Sequence, residues 1–79
     1  MHLSPSQCRA ARGLLDITQA ELAEKAGVSL RTVISFEADE RTPIRATLEV
    51  IRRAFEGAGV EFIDENGGGA GVRLKKRRS

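Results

Sequence analysis

The chain has 79 residues, 41% of them hydrophobic and 30% charged, with no Trp or Tyr and a formal net charge of +2. A chain of this length makes one small domain that buries only about 60–65% of its unfolded surface, so modest stability is expected without a partner. The composition excludes a disordered chain, no apolar run approaches membrane-spanning length, and the single Cys excludes an internal disulfide.

The opening segment MHLSPSQ lacks the basic and apolar regions of a secretory signal, so a cytosolic location is expected. Ser4, Pro5 and Gln7 together make a helix start: a cap, a proline at the first helical position and a glutamine three residues after the cap. This first helix is predicted to run to about Leu15. The spacing of Cys8, Ala11 and Leu15 puts Cys8 on its inner face as a small core residue. A redox-sensing thiol is the other reading of Cys8, but no CxxC and no neighbouring His supports it. His2 is expected to be solvated, and Asp16 and Ile17 to form a link with Ile17 tucked beneath the helices.

Thr18 followed three residues later by Glu21 forms a reciprocal capping box, so a second helix is predicted from about Gln19. Leu22, Ala23 and Ala26 share one face of it, whereas Gln19, Glu24 and Lys25 fall elsewhere. Gly27 suits the left-handed residue after a helix end, and Ser29 suits the cap of a third helix about three residues later. In that helix Val33, Phe36 and Glu37 lie at core-side spacing, which leaves Leu30, Arg31, Thr32 and Ser35 free to touch something else. An α-helix has roughly the width of the major groove of B-DNA, and its N-terminus offers backbone N–H groups to phosphate. Two short helices with a tight turn and a polar second face therefore point to duplex DNA.

Residues 38–42 form a charged loop, and Thr42 with Pro43 is predicted to open a fourth helix whose buried stripe is Leu48, Ile51 and Phe55. Gly57 and Gly59 end it. Val60 to Ile63 alternate and are β-branched or aromatic, a glycine-rich loop follows, and Val72, Arg73 and Leu74 complete a short hairpin. A lone two-stranded ribbon is marginal, so the hairpin is expected either to pack on the helices or to pair with the ribbon of a second subunit. Charge is uneven along the chain. Residues 1–57 hold eight basic and eight acidic side chains, and residues 58–79 hold five basic and three acidic. The run Lys75, Lys76, Arg77 and Arg78 is either a solvated tail or an arm adding sequence-independent affinity for phosphate.

The stretch from Gln7 to Phe55, including Arg12, Gln19, Leu22, Ala23, Gly27, Val28, Ser29, Val33, Glu37 and Pro43, resembles the Cro/XRE-type helix-turn-helix domain of phage repressors and bacterial regulators. The resemblance covers about two-thirds of the chain. It implies a mainly α fold: a four-helix, lambda-repressor-like domain over residues 1–57, followed by a short C-terminal β-hairpin and basic tail over residues 58–79.

It also implies roles. Leu30, Arg31 and Ser35, with Thr32 adjacent, match base-facing positions. Arg31 is expected to donate twice to O6 and N7 of guanine, with a phosphate contact as the other reading. Leu30 departs from the polar residues common at its position; it meets either a thymine methyl or protein surface. Thr32 alternatively serves the cap of its own helix. Gln19, Ser29, Arg41, Thr42 and Arg45 are expected at phosphates, where contacts set position rather than sequence preference. Solvation in a charged loop remains the other reading for Arg41 and Arg45. Arg12 and Glu37 match positions that form an ion pair between the first and third helices, expected to be partly exposed and worth about 0–1 kcal/mol. Ala38 stands where a small polar or turn-forming residue is frequent, which removes one phosphate hydrogen bond.

An enzyme would need a nucleophile beside a base, paired carboxylates, a metal set or a phosphate loop. The only His is terminal, the lone Cys reads as core, and the glycine-rich loop follows no βαβ strand and lacks the lysine of a P-loop. No catalysis, cofactor, metal or membrane contact is expected. The expected function is a bacterial cytoplasmic transcription regulator of the XRE family, a repressor associated with the nucleoid when bound, which reads double-stranded DNA as a homodimer. The alternative is an antitoxin-like protein that binds a partner protein through its C-terminal ribbon.

Overall fold

The computed structural model describes residues 3–65 and 67–75. The expectations for His2 and for Lys76, Arg77 and Arg78 fall outside them. The element order is α1 (Pro5–Leu15), α2 (Gln19–Ala26), α3 (Leu30–Glu37), α4 (Arg45–Gly57), β1 (Val60–Ile63) and β2 (Gly71–Leu74). The chain is therefore mainly α with a two-stranded C-terminal hairpin.

Local chemistry sets the helix boundaries. At α1, Gln7 N donates to Ser4 Oγ at 3.1 Å while Ser4 N donates to Gln7 Oε1 at 3.0 Å. At α2 the reciprocal bonds join Thr18 and Glu21 at 3.0 and 2.9 Å. Each box satisfies two donors that a helix start leaves unpaired. Gly27 ends α2 in the left-handed region at φ 71°, and the following Val28 N donates back to the Ala23 carbonyl at 3.0 Å. A glycine carries that φ without a Cβ clash. The turn to α3 is consequently tight. At the far end of α3, Asp39 takes up φ 59° and Glu40 N donates to the Ser35 carbonyl at 2.9 Å.

The fourth helix departs from the expected start. Thr42 and Pro43 do not open it; Ile44, extended at ψ 158°, is the residue before the first turn, and its carbonyl accepts from Thr47 N and Leu48 N at 3.0 and 3.1 Å. Pro43 biases the residue before it toward extended backbone, and the chain stays extended until Ile44. Ile44 offers no side-chain cap and is 73% exposed. Ile44→Ser is therefore expected to stabilise the fold by about 0.5–1.5 kcal/mol, because a hydroxyl there accepts from an unpaired first-turn donor at little loss of burial. Chemical denaturation at pH 7 measures it; an unchanged or lower midpoint would contradict the missing-cap reading.

One core joins helices and hairpin. Cys8 and Ala11 of α1, Leu22 and Ala23 of α2, Val33 and Phe36 of α3, Ile51 and Phe55 of α4, and Val60 and Phe62 of β1 pack into a single cluster with Leu3. Leu15, Ile17, Ala26 and Leu48 pack against it, half-buried. The strands pair antiparallel, Val60 opposite Leu74 and Phe62 opposite Val72, so both aromatic and β-branched residues of β1 face the helices. Phe62 meets Phe55 edge-on with ring centroids 5.9 Å apart, and the Arg52 guanidinium lies 4.9 Å from the Phe62 ring centre. Gln7 clasps the hairpin to α1, its Nε2 donating to the Gly71 carbonyl at 3.2 Å. Of the two arrangements open for the ribbon, packing on the helices is realised, with each strand keeping one outer edge without a partner strand.

Candidate nucleic-acid interface

The inward side of α3 is anchored by a buried carboxylate. Glu37 Oε1 accepts from Arg12 Nη2 at 2.6 Å and from Gln19 Nε2 at 3.1 Å; Oε2 accepts from Arg12 Nε at 2.7 Å and from the Cys8 thiol at 3.1 Å. Arg12 Nη1 also donates to the Ile17 carbonyl at 3.2 Å, and Arg9 donates to the Glu37 carbonyl. One side chain of α3 thus holds α1 and the first residue of α2 at once.

This corrects the partly exposed pair expected from sequence. The Glu37 side chain is 3% exposed against 21% for Arg12, so the carboxylate is a desolvated charge with a two-pronged partner and not a surface ion. Burial alone would raise its pKa, but the hydrogen bonds from Arg12, Cys8 and Gln19 and the charge of Arg12 outweigh burial and hold it below the usual carboxylate range. Burial, and then donation to Glu37, pushes the Cys8 thiol far above its usual value. The thiol stays protonated and inert, the core role expected of it.

The outward side of α3 is open. Val33, Phe36 and Glu37 turn inward, while Leu30, Arg31 and Ile34 are exposed and Thr32 and Ser35 half-buried. Ser29 Oγ accepts from Thr32 N at 3.1 Å and lies 2.8 Å from Thr32 Oγ1, so both hydroxyls are engaged at the helix start, the capping role open to Thr32. Arg31, Thr32 and Ser35 line one shallow groove with Glu40, Arg41, Pro43, Ile44 and Thr47. No ion pair engages Arg31 or Arg41 among the described residues. Thr42 is exposed beside the groove. Arg45 opens α4 with an 85% exposed side chain, 3.6 Å from Glu49 one turn on, a surface contact too weak to hold it.

Two of the expected residues stand apart from the groove. Gln19 is half-buried and directed by Glu37, and Leu30 lies on the other edge of α3. Sequence reasoning missed Ile34, which is 36% exposed. At about 100° per residue it sits roughly 60° round the helix from Arg31, on the outward side, and that wheel alone was signal enough to find it.

A family model for helix-turn-helix domains of the Cro/C1 type matches residues 9–61, more than half of the chain. The chain belongs to this helix-turn-helix family. Its members are DNA-binding regulators, and in the arrangement above α2 and α3 are the helix-turn-helix pair. No curated protein matches the chain. Among the described residues no three His, Cys, Asp or Glu side chains gather as a metal set, and no helix is long and apolar enough to cross a membrane.

Proposed function

We propose that this helix-turn-helix chain is a sequence-specific transcription regulator that lays α3 into the major groove of double-stranded DNA and represses by blocking polymerase access. The observation that carries the reading is the division of α3: a buried Glu37 that locks the helix to α1 and α2, and an outward face on which Arg31 has no intramolecular partner. A free guanidinium on a rigid helix is the donor set that matches guanine O6 and N7.

Phosphate contacts flank that face. Gln19 at the start of α2 keeps one amide hydrogen for a phosphate oxygen after donating the other to Glu37. On the far side Arg41, Thr42 and Arg45 surround the start of α4, where the first turn holds no acidic residue and no side-chain cap. An arginine at that position opposes the helix dipole in the free protein, and a bound phosphate relieves the conflict. Ser29 contributes its backbone at the start of α3.

The functional unit is a homodimer on a two-fold related site, with the two α3 helices in successive major grooves about 34–36 Å apart. The outer edge of β2 supports this reading: it has no partner strand, and Leu74 at its end is 49% exposed. The phosphate assignment is tested through salt. Arg45→Ala is expected to reduce the slope of log K against log salt by about one per protomer and to weaken all sequences alike. An unchanged slope would remove Arg45 from the interface.

A further inference from the structure

The geometry points to a thymine-reading strip on α3, formed by Leu30 and Ile34, beside the guanine-reading Arg31. It rests on the DNA-binding reading above and adds to it which base the apolar edge of the helix recognises.

Leu30 and Ile34 are one helical turn apart, so their side chains stack along one edge. They are 43% and 36% exposed, on a helix whose inward positions are Val33, Phe36 and Glu37. The core therefore has no use for them. Ala38, one turn further on, is exposed as well and continues the same small, apolar edge. The opposite edge of the outward face carries Arg31 and Ser35, which line the groove shared with Arg41. The recognition helix thus presents two parallel rows, one of donors and one of hydrocarbon.

Only one feature of the major groove matches a hydrocarbon row: the C5-methyl of thymine, which no other base carries. A branched side chain at both positions, rather than a long flexible one, offers fixed apolar surface at small cost in rotamer freedom. The recognised site consequently contains thymine at one or more steps next to the guanine contacted by Arg31. Discrimination there comes from methyl burial and not from hydrogen bonding.

The test uses duplexes that the purified wild-type chain itself selects from a random pool. In the tightest duplex each thymine near the guanine contact is replaced singly by deoxyuridine, which removes the methyl group and leaves every hydrogen-bonding atom in place. At the thymine under Ile34 the replacement is expected to weaken binding about fourfold, the worth of burying one carbon. Ile34→Ala, a surface change that leaves the core intact, should bind the two duplexes equally. Equal binding of both duplexes by the wild-type chain, with the guanine preference retained, overturns the strip while leaving the major-groove reading standing. A thymine-to-deoxyuridine ratio in Ile34→Ala equal to that of the wild type overturns it also, as does a change of oligomeric mass in that variant, which would make the strip a protein contact. Failure to select any site at all defeats the DNA-binding reading itself.

Discussion

Arg12→Ala is expected to cost about 3–5 kcal/mol of folding stability, a large part of what a 79-residue domain possesses. The substitution leaves the Glu37 carboxylate buried with only Gln19 and Cys8 as donors. An uncompensated buried charge is far costlier than the net worth of the pair that neutralised it. Replacing both partners with apolar residues, Arg12→Met with Glu37→Leu, should therefore recover much of the loss, which separates a desolvation penalty from lost attraction. The pH dependence gives a second readout. In the wild type the folded Glu37 pKa lies below its unfolded value, so its contribution is present above the unfolded carboxylate range and is lost as pH falls through the folded value. Without Arg12 burial dominates and the folded pKa rises above the unfolded one. The contribution then belongs to the protonated form and is lost as pH rises from about 4 toward the new folded value. Urea denaturation of both proteins between pH 3 and 7 checks this; parallel pH profiles would contradict the assignment.

The second large effect concerns recognition. Arg31→Ala should lower preference at one base pair of each half-site by about 5- to 150-fold, the equivalent of about 1–3 kcal/mol for a two-pronged guanine contact. Its affinity for sequences lacking that guanine should change little beyond the loss of one positive charge. Arg31→Lys should not restore the preference fully, since an ammonium lacks the planar fork that meets O6 and N7 together. Competition binding against a panel of single-base variants measures both. Weakening by the same factor on every sequence would move Arg31 to a phosphate.

The two assignments are physically linked. Glu37 lies one and a half turns along α3 from Arg31, and its contacts with Arg12 and Gln19 fix both the rotation of α3 and the start of α2. Orientation of the reading face and position on the phosphates are thus set by one carboxylate. The stability built into that network is what keeps the guanidinium at a defined depth in the groove.

Much of this was legible in the residues because it rests on local rules. The two capping boxes, the left-handed Gly27 and the core-side spacing of Val33, Phe36 and Glu37 each follow from contacts within a few positions. The burial of Glu37 was not legible in the same way. It depends on Cys8, Arg9, Arg12 and Gln19 converging from two other helices, and no spacing within one helix reports that. The start of α4 misled for a different reason: a threonine before a proline is a common helix opening, but here the chain remains extended through Ile44, which no capping rule selects. Ile34 was overlooked because an isoleucine in a helix is ordinarily assigned to a core. Its angle from Arg31 shows otherwise. The hairpin's two possible partners could not be separated from sequence, since an alternating strand buries one face equally well against helices or against another ribbon.

The account stands or falls on α3 entering the major groove, and interference by prior methylation of guanine N7 addresses that atom directly, because N7 is exposed only there. On a duplex selected by the purified chain, methylated guanines should block binding in two clusters on one face of the DNA, separated by about one helical turn. Unimpaired binding to N7-methylated duplex, with interference confined to adenine N3 in the minor groove, would contradict it.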